Sequence, residues 1–394
     1  MTKKEQNRTS SGIFSFFSGA GFLDLGFEKT EGFETVFVNE YHEPFMEIYK
    51  SSRKGLNVTE PQFGHNTDDI CSFLNGKPAQ QLTDDLKSAK SKFDLVGFIG
   101  GPPCPDFSVG GKNKGIKGEN GKLSATYAEL IIRNQPDFFL FENVKGLYRT
   151  KKHRAFFDQM KLNLIKSGYY LTEKLINAIE FGAPQDRERI ILIGFRRNTL
   201  TDFGLELNGS PFLKTFDWNS KTIYKADDIF SKNWPTQEEF IENSEKPFPY
   251  GLNKKLTVQY WFDKNDVSNH PNANHYFQPR AGLPKFQSIQ EGDDLKKSYK
   301  RLHRWRYSPT AAYGNNEVHL HPYKARRISA SEALAIQSLP KEFIIPENIS
   351  LSNMFKTIGN GVPFLAAKGL AETLSLFIEN SKTPELKYAE IISE

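Results

Sequence analysis

The chain has 394 residues, 38% hydrophobic and 25% charged, with a formal net charge of +5 and two cysteines. Such a composition describes a folded globular protein with room for a large domain and a smaller one, and excludes disordered and fibrous classes. Two cysteines build neither a disulfide framework nor a cysteine-rich zinc site, so a reducing cytoplasm is expected and no metal centre is. No run of 18 or more apolar residues offers a membrane span, and the polar start MTKKEQNRTSSG does not read as a secretory signal.

Ile13–Phe17 is the first of five apolar runs that read as buried strands; Thr35–Asn39, Asp94–Gly100, Asp137–Glu142 and Arg189–Phe195 are the others. Continuous rather than alternating hydrophobicity predicts strands covered on both faces, as in a parallel sheet. Phe17-Ser-Gly-Ala-Gly21 ends the first run and opens a helix over Phe22–Lys29. Glycines there permit a tight turn and close backbone approach to a ligand, which makes Phe17, Gly19, Ala20 and Gly21 candidate cofactor residues. The next run leads to Glu40, nineteen residues after Gly21, where an acid in a dinucleotide-type fold holds ribose hydroxyls. Leu23 and Asp24 stand where a phosphate-gripping G-x-G-x-x-G would continue, which favours a nucleoside ligand without pyrophosphate, S-adenosylmethionine rather than NAD. Asp69-Ile70 offers an acceptor for an adenine amino group. Arg154–Ser167 carries apolar residues at helical spacing, with Gly168 as its stop. Strand alternating with helix gives a doubly wound, Rossmann-like α/β domain.

The Asp94–Gly100 run continues into Gly101-Pro102-Pro103-Cys104-Pro105. Prolines fix φ and reduce chain freedom, so the Cys104 thiol is presented at the carboxyl edge of the sheet, where open α/β sheets bind ligands. Cys71 takes the ordinary role of a small buried apolar residue. Gly110–Lys122 holds five glycines and four lysines against one acid, which suits a lid whose lysines, Lys112 and Lys114 among them, meet phosphates.

From Asn198 to about Pro322 the chain is rich in Asn, Pro, Lys and aromatics without helical period, and short strands with long loops are expected. Lys296–Arg306 carries six basic residues and no acid, with Tyr299 and Trp305 interleaved. Lys300, Arg301, Arg304 and Arg306 are the candidate phosphate contacts there. Ser308-Pro-Thr310, Asn315, Asn316 and His319–Pro322 are candidate polar readers. Ser329-Ala-Ser-Glu332 is a capping box opening a helix through Ser338, and a long apolar helix follows Val362.

Gly-Pro-Pro-Cys104, Glu142-Asn143-Val144, Gln185-Asp-Arg187-Glu-Arg189 and Gly359-Asn360-Gly361-Val362 follow one another in this order. With Phe17–Gly21 and Arg327–Pro340, they resemble the DNA cytosine-5 methyltransferase family of bacterial restriction–modification type. The resemblance covers about the first 198 residues and everything after His321. It implies methyl transfer from S-adenosylmethionine to carbon 5 of a cytosine flipped out of a specific double-stranded DNA sequence. Cys104 would add to carbon 6, Glu142 would serve N3 with a proton, and Arg189 would hold O2, with Arg187 orienting or structural. The resemblance also places Pro103 and Asn360 in the cofactor pocket and Ser108 on a phosphate. It implies a catalytic domain over 1–198, a target recognition domain with the helix after it over 199–351, and a segment over 352–394 that completes the catalytic domain. A cytoplasmic monomer acting at the nucleoid, paired with a restriction endonuclease of the same site, is the matching expectation. Pro105 stands where the family usually has Gln, and Phe22 where a further glycine is common. A tRNA-modifying member of the family and a catalytically silent DNA-binding regulator are the alternatives; the long middle region speaks against the first, the intact Cys104, Glu142 and Arg189 against the second.

Overall fold

The five apolar runs fold as strands, and two strands less visible in the sequence join them. The computed structural model describes residues 9–103, 119–205, 207, 209–311, 313–314 and 317–382. In chain order come β1 (Ser11–Phe16), α1 (Phe22–Glu28), β2 (Phe33–Asn39), α2 (Glu43–Gly55), β3 (His65–Asn66), α3 (Gly76–Lys92), β4 (Leu95–Gly100) and α4 (Glu119–Asn134). They are followed by β5 (Phe138–Val144), α5 (Lys145–Arg149), α6 (Lys151–Lys166), β6 (Tyr169–Asn177), β7 (Glu188–Arg196) and α7 (Arg197–Asp202). The described strands form one seven-stranded sheet in the order β3-β2-β1-β4-β5-β7-β6. Strands β1 to β5 pair in parallel, whereas β7 runs antiparallel to both β5 and β6. The parallel expectation therefore fails for β7. Its unbroken apolar run reflects burial on both faces, which an antiparallel strand in mid-sheet has as well.

Successive side chains point to opposite faces of a strand, so each face builds its own core. Phe14, Phe16, Val96 and Phe98 pack with Leu82 and Leu86 of α3, Tyr127 and Leu130 of α4, and Phe157 and Leu164 of α6. On the other face Ile13, Leu95, Ile99 and Phe138 meet Ala367, Leu370 and Leu374 from the end of the chain. The later helices are α8 (Ala226–Phe230), α9 (Val258–Lys264), α10 (Leu283–Ser288), α11 (Ala330–Ile336), α12 (Leu351–Asn360) and α13 (Phe364–Lys382). The expected capping box is present, with Ser329 and Glu332 bonding each other's backbone at the start of α11. The stretch Leu351–Ser381 is apolar enough to match a membrane span by length and composition. It is broken between α12 and α13, and most of its apolar residues are buried in the fold.

Three expectations are revised. Leu200, Phe203 and Phe216 pack on the sheet, and Trp218 Nε1 donates to Thr172 Oγ1 at 2.8 Å. The chain therefore leaves the sheet after Trp218, later than residue 198. The expected short strands of the middle region are reduced, among the described residues, to isolated bridges such as Glu238–Glu291 and Arg301–Leu320. Its regular pieces are short helices. Cys71 is exposed rather than buried, since it sits on the turn whose apolar neighbours Ile70 and Phe73 point inward.

Candidate active site

Parallel strands end together, so the segments following β1, β2, β4 and β5 converge on one edge of the sheet. After β1, Phe17 adopts a left-handed φ of 54°, and Gly19 and Gly21 have φ of 57° and 76°. Gly19 N–H donates to Glu40 Oε2 at 2.9 Å, and His42 N–H donates to Oε1 at 2.8 Å, so Glu40 ties the glycine turn to the end of β2. Burial pushes the Glu40 carboxyl up, opposed by these backbone donors. Asp69 caps the short turn after β3 by accepting from Cys71 N–H at 2.8 Å. Ile70 is 3% exposed and packs into the core, leaving little of its side chain for a ligand. Ala20 is buried too. The Thr357 hydroxyl is buried without a partner, 4.0 Å from where a Cβ on Gly19 would stand.

Glu142 lies near the end of β5 and Arg189 near the start of β7. In an antiparallel pair those ends coincide: Arg189 pairs with Val144 and Ile191 with Glu142. The two side chains therefore share a face, one diagonal apart, and Arg189 Nε lies 2.9 Å from Glu142 Oε1. A parallel β7 would have carried Arg189 to the opposite edge. Glu142 is 8% exposed, and burial raises its carboxyl pKa while Arg189 and Arg187 pull the other way. A Cβ on Gly101 would stand 2.7 Å from Glu142 Oε2, so a side chain at this position would push the carboxyl from its place. Asn143 Nδ2 donates to Pro102 O at 3.3 Å, pinning the same segment. Pro103 is partly exposed. Cys104, Pro105, Ser108, Lys112 and Lys114 lie outside the described residues, as do Asn315 and Asn316.

Arg187 has a different role from Arg189. It is 1% exposed, donating to Ala311 O at 2.6 Å and to Gly359 O at 2.7 Å. Its guanidinium thus ties β7 to the end of α12, where Asn360 is exposed and Gly361 abuts Phe22. Phe22 packs edge-on against Phe343 in the interior, at the start of α1.

The basic run is mostly internal, a correction to the phosphate-contact expectation. Arg301 is fully buried, its Nε donating to Ile289 O at 2.8 Å and its other nitrogens to Phe286 O and His321 O. Arg304 is 3% exposed and pairs with buried Glu291 at 2.8 Å. Arg306 pairs with Asp294. Ser308, His319 and His321 are likewise buried and do not face a groove. Thr310 is exposed but donates to Asp186 O at 2.6 Å. Of the four basic candidates Lys300 and Arg306 are partly exposed, and among the described residues Lys300 makes no ion pair; Lys296 and Lys297 beside it are exposed. The residues that sequence reasoning passed over are Asn143, already inside a quoted motif, and Arg53, which carried no signal.

Fold and site define an α/β enzyme with a nucleoside-type turn beside a buried carboxyl–arginine pair. The chain belongs to the C-5 cytosine-specific DNA methylase family, whose profile matches residues 12–376, and it is a DNA cytosine-5 methyltransferase. It is 60% identical over 375 residues to Type II methyltransferase M.NmeDI of Neisseria meningitidis serogroup C, covering 95% of this chain and 86% of that protein. Type II methyltransferase M.FnuDI of Fusobacterium nucleatum is 28% identical over 92% of this chain and 95% of its own. The S. pombe Dnmt2 methyltransferase structure superposes with a TM-score of 0.56 at 14% identity, over 96% of this chain and all of that one. The Entamoeba histolytica methyltransferase EhMeth gives 0.57 at 15%, over 93% of this chain and 98% of that one. These two likenesses speak for the fold.

Proposed function

We propose that the chain methylates one cytosine of a specific double-stranded DNA sequence, flipped out of the helix, with S-adenosylmethionine as donor and Cys104 as nucleophile. The residues that would hold the donor are the Phe17–Gly21 turn, Glu40, Asp69, the backbone of Ile70, Pro103 and Asn360. They fit a nucleoside: a glycine cradle, two carboxylates and an orphaned buried hydroxyl on Thr357, and no phosphate-gripping loop. When bound, the donor supplies an electrophilic methyl group.

The remaining chemistry belongs to the chain. A thiolate at Cys104 adds to cytosine carbon 6, and the electron pair released from the carbon 5–carbon 6 double bond moves toward N3. Glu142 meets that charge with a proton, for which a carboxyl raised by burial is suited. Arg189 holds Glu142 in place and presents donors to O2. Once carbon 5 carries the methyl group, its proton passes to solvent, the carbon 6–sulfur bond breaks with Cys104 leaving as thiolate, and N3 returns its proton to Glu142, which restores the ring. Arg187 acts as a positioning residue through its carbonyl contacts.

The observation that carries this reading is the Glu142–Arg189 pair against Gly101 and Pro102, three and two residues before Cys104. The expected result is a covalent protein–DNA adduct when the target cytosine carries fluorine at carbon 5, because fluorine does not leave as a proton does. Cys104→Ala should form none. An adduct-free wild-type enzyme with that DNA, or full activity of Cys104→Ala, overturns the mechanism; preference for tRNA over duplex DNA in the same assay overturns the substrate. The names of its relatives support a further part of the proposal, that the modification guards DNA against a restriction endonuclease of the same site. Bisulfite mapping of DNA from expressing cells would identify that site.

A further inference from the structure

A buried cluster stands behind the glycine turn, on elements that the reaction does not otherwise use. Arg53, in the last turn of α2, is 2% exposed. Its Nη1 donates to Ala20 O at 3.0 Å and its Nη2 to Gly21 O. Its Nε donates to Glu28 Oε2 at 3.1 Å, at the end of α1. Tyr49, one turn earlier on α2, donates its hydroxyl to Glu28 Oε1 at 3.0 Å and lies with its ring 4.0 Å from the Arg53 guanidinium. A Cβ on Gly21 would stand 2.4 Å from both Arg53 Nη2 and the Tyr49 ring. The cluster therefore fills the space behind the turn completely.

We propose that Arg53 is the positioning residue of the donor-binding turn, holding the Ala20 and Gly21 carbonyls so that the turn is preformed before S-adenosylmethionine arrives. This rests on the reading that Phe17–Gly21 receives that donor. A trans peptide presents its N–H opposite its C=O. With both carbonyls fixed on Arg53, the N–H groups of Gly21 and Phe22 are turned away from it; that of Gly21 donates to Ser18 O at 2.7 Å and closes the turn. The left-handed φ at Gly19 and Gly21 leaves the turn no regular ladder to lean on, and a guanidinium spanning two carbonyls replaces it. Lysine carries the same charge as a single point and does not span them. Glu28 and Tyr49 aim the guanidinium. A turn that has to be ordered at the moment of binding weakens affinity for the donor without touching the methyl-transfer step.

The test compares wild type with Arg53→Lys by equilibrium binding of S-adenosylmethionine, equilibrium binding of duplex DNA, and kcat at saturating levels of both. The expected result is a donor dissociation constant raised about tenfold, the loss of roughly one charge-assisted hydrogen bond. DNA affinity and kcat should stay within twofold. Should Arg53→Lys fail to fold, the double variant Glu28→Gln/Arg53→Met, which removes both members of the ion pair, takes its place with the same expectation. A donor dissociation constant within twofold of wild type in the folded variant, whatever its thermal stability, overturns the proposal and leaves the cluster a structural one. If wild type itself binds no S-adenosylmethionine, the function reading fails instead, so the two failures are separable.

Discussion

Within the sheet, backbone N–H and C=O groups satisfy one another along the strand ladders, and the side chains between the layers are left to phenylalanine, isoleucine, leucine and valine. From Thr222 to Ala325 the described chain has short helices and isolated bridges instead, and many carbonyls turn inward without a ladder partner. Side chains take over: Arg301 serves the carbonyls of Phe286, Ile289, His321 and Lys324, and Arg304 serves Ser244 O and Glu291. A guanidinium brings five N–H donors and is well suited to carbonyls at irregular spacing. The contrast teaches that a cluster of arginines in a region without secondary structure is scaffold before it is a ligand surface. At the sheet edge, where the ladders already satisfy the backbone, charged side chains such as Glu142 and Arg189 are available for chemistry.

The comparison predicts opposite outcomes for two buried carboxylates. Glu142→Gln should slow methyl transfer by about 10²–10⁴-fold, the usual range for losing a general acid, with a thermal midpoint close to wild type. Methyl-transfer rates beside a melting curve would show it; a large loss of stability with little loss of rate would break the contrast. Glu291→Ala should do the reverse. Arg304 would be left as an uncompensated buried charge, which costs about 3–5 kcal/mol, read as a shift of the urea midpoint. The DNA affinity of the protein still folded should be nearly unchanged. Strong loss of DNA binding at full stability would return Arg304 to the phosphate surface. A smaller effect belongs to Lys300, partly exposed in the same run. Lys300→Ala should weaken DNA binding severalfold and lower the salt slope by about one, and an unchanged slope would remove it from the interface.

Much of the site was legible because its parts are local. A glycine turn after an apolar run, an acid after the next run and a Gly-Pro-Pro turn after a third are each short-range patterns, and the strands beneath them place Gly19, Glu40 and Gly101–Pro103 on one edge. What escaped depends on strand direction or on partners that leave no mark. The closeness of Arg189 to Glu142 follows from β7 running backwards, and an apolar run carries no sign of its direction. The strand β6, YYLTEKLIN, mixes Thr, Glu and Lys among its apolar residues because it lies at the sheet edge and is only half covered. Arg53, Arg301 and Arg304 bond to carbonyls, which every residue has, so the sequence shows their charge and not its destination. Cys71 misled in the other direction: its turn exposes it although its neighbours are core.

Two buried carboxyls should also respond to pH with opposite signs. Asp24, on α1, is 1% exposed; the Ser15 and Tyr49 hydroxyls lie near it, but neither carboxylate oxygen receives a hydrogen bond of ordinary geometry. Burial pushes its pKa up to about 7, with Arg53 opposing and Glu28 adding to the rise. A carboxyl whose folded pKa exceeds its unfolded value holds more proton in the folded state, so its contribution is complete below about pH 4 and is lost as pH climbs through 7. Glu332, buried in the first turn of α11, behaves the other way. Burial would raise it, but His321 and Arg326 outweigh that and hold its carboxyl far below the usual range, so its contribution is present above about pH 4.5 and lost as the pH falls further. The stability of wild type should therefore decline from both sides of an acid optimum. Asp24→Asn isolates the alkaline side: below about pH 4, where Asp24 is neutral both folded and unfolded, variant and wild type should melt together, and towards pH 8 the variant should become the more stable. A difference between their melting temperatures that does not change with pH would mean that Asp24 does not titrate in this range, and the asymmetry between the two carboxyls would fall with it.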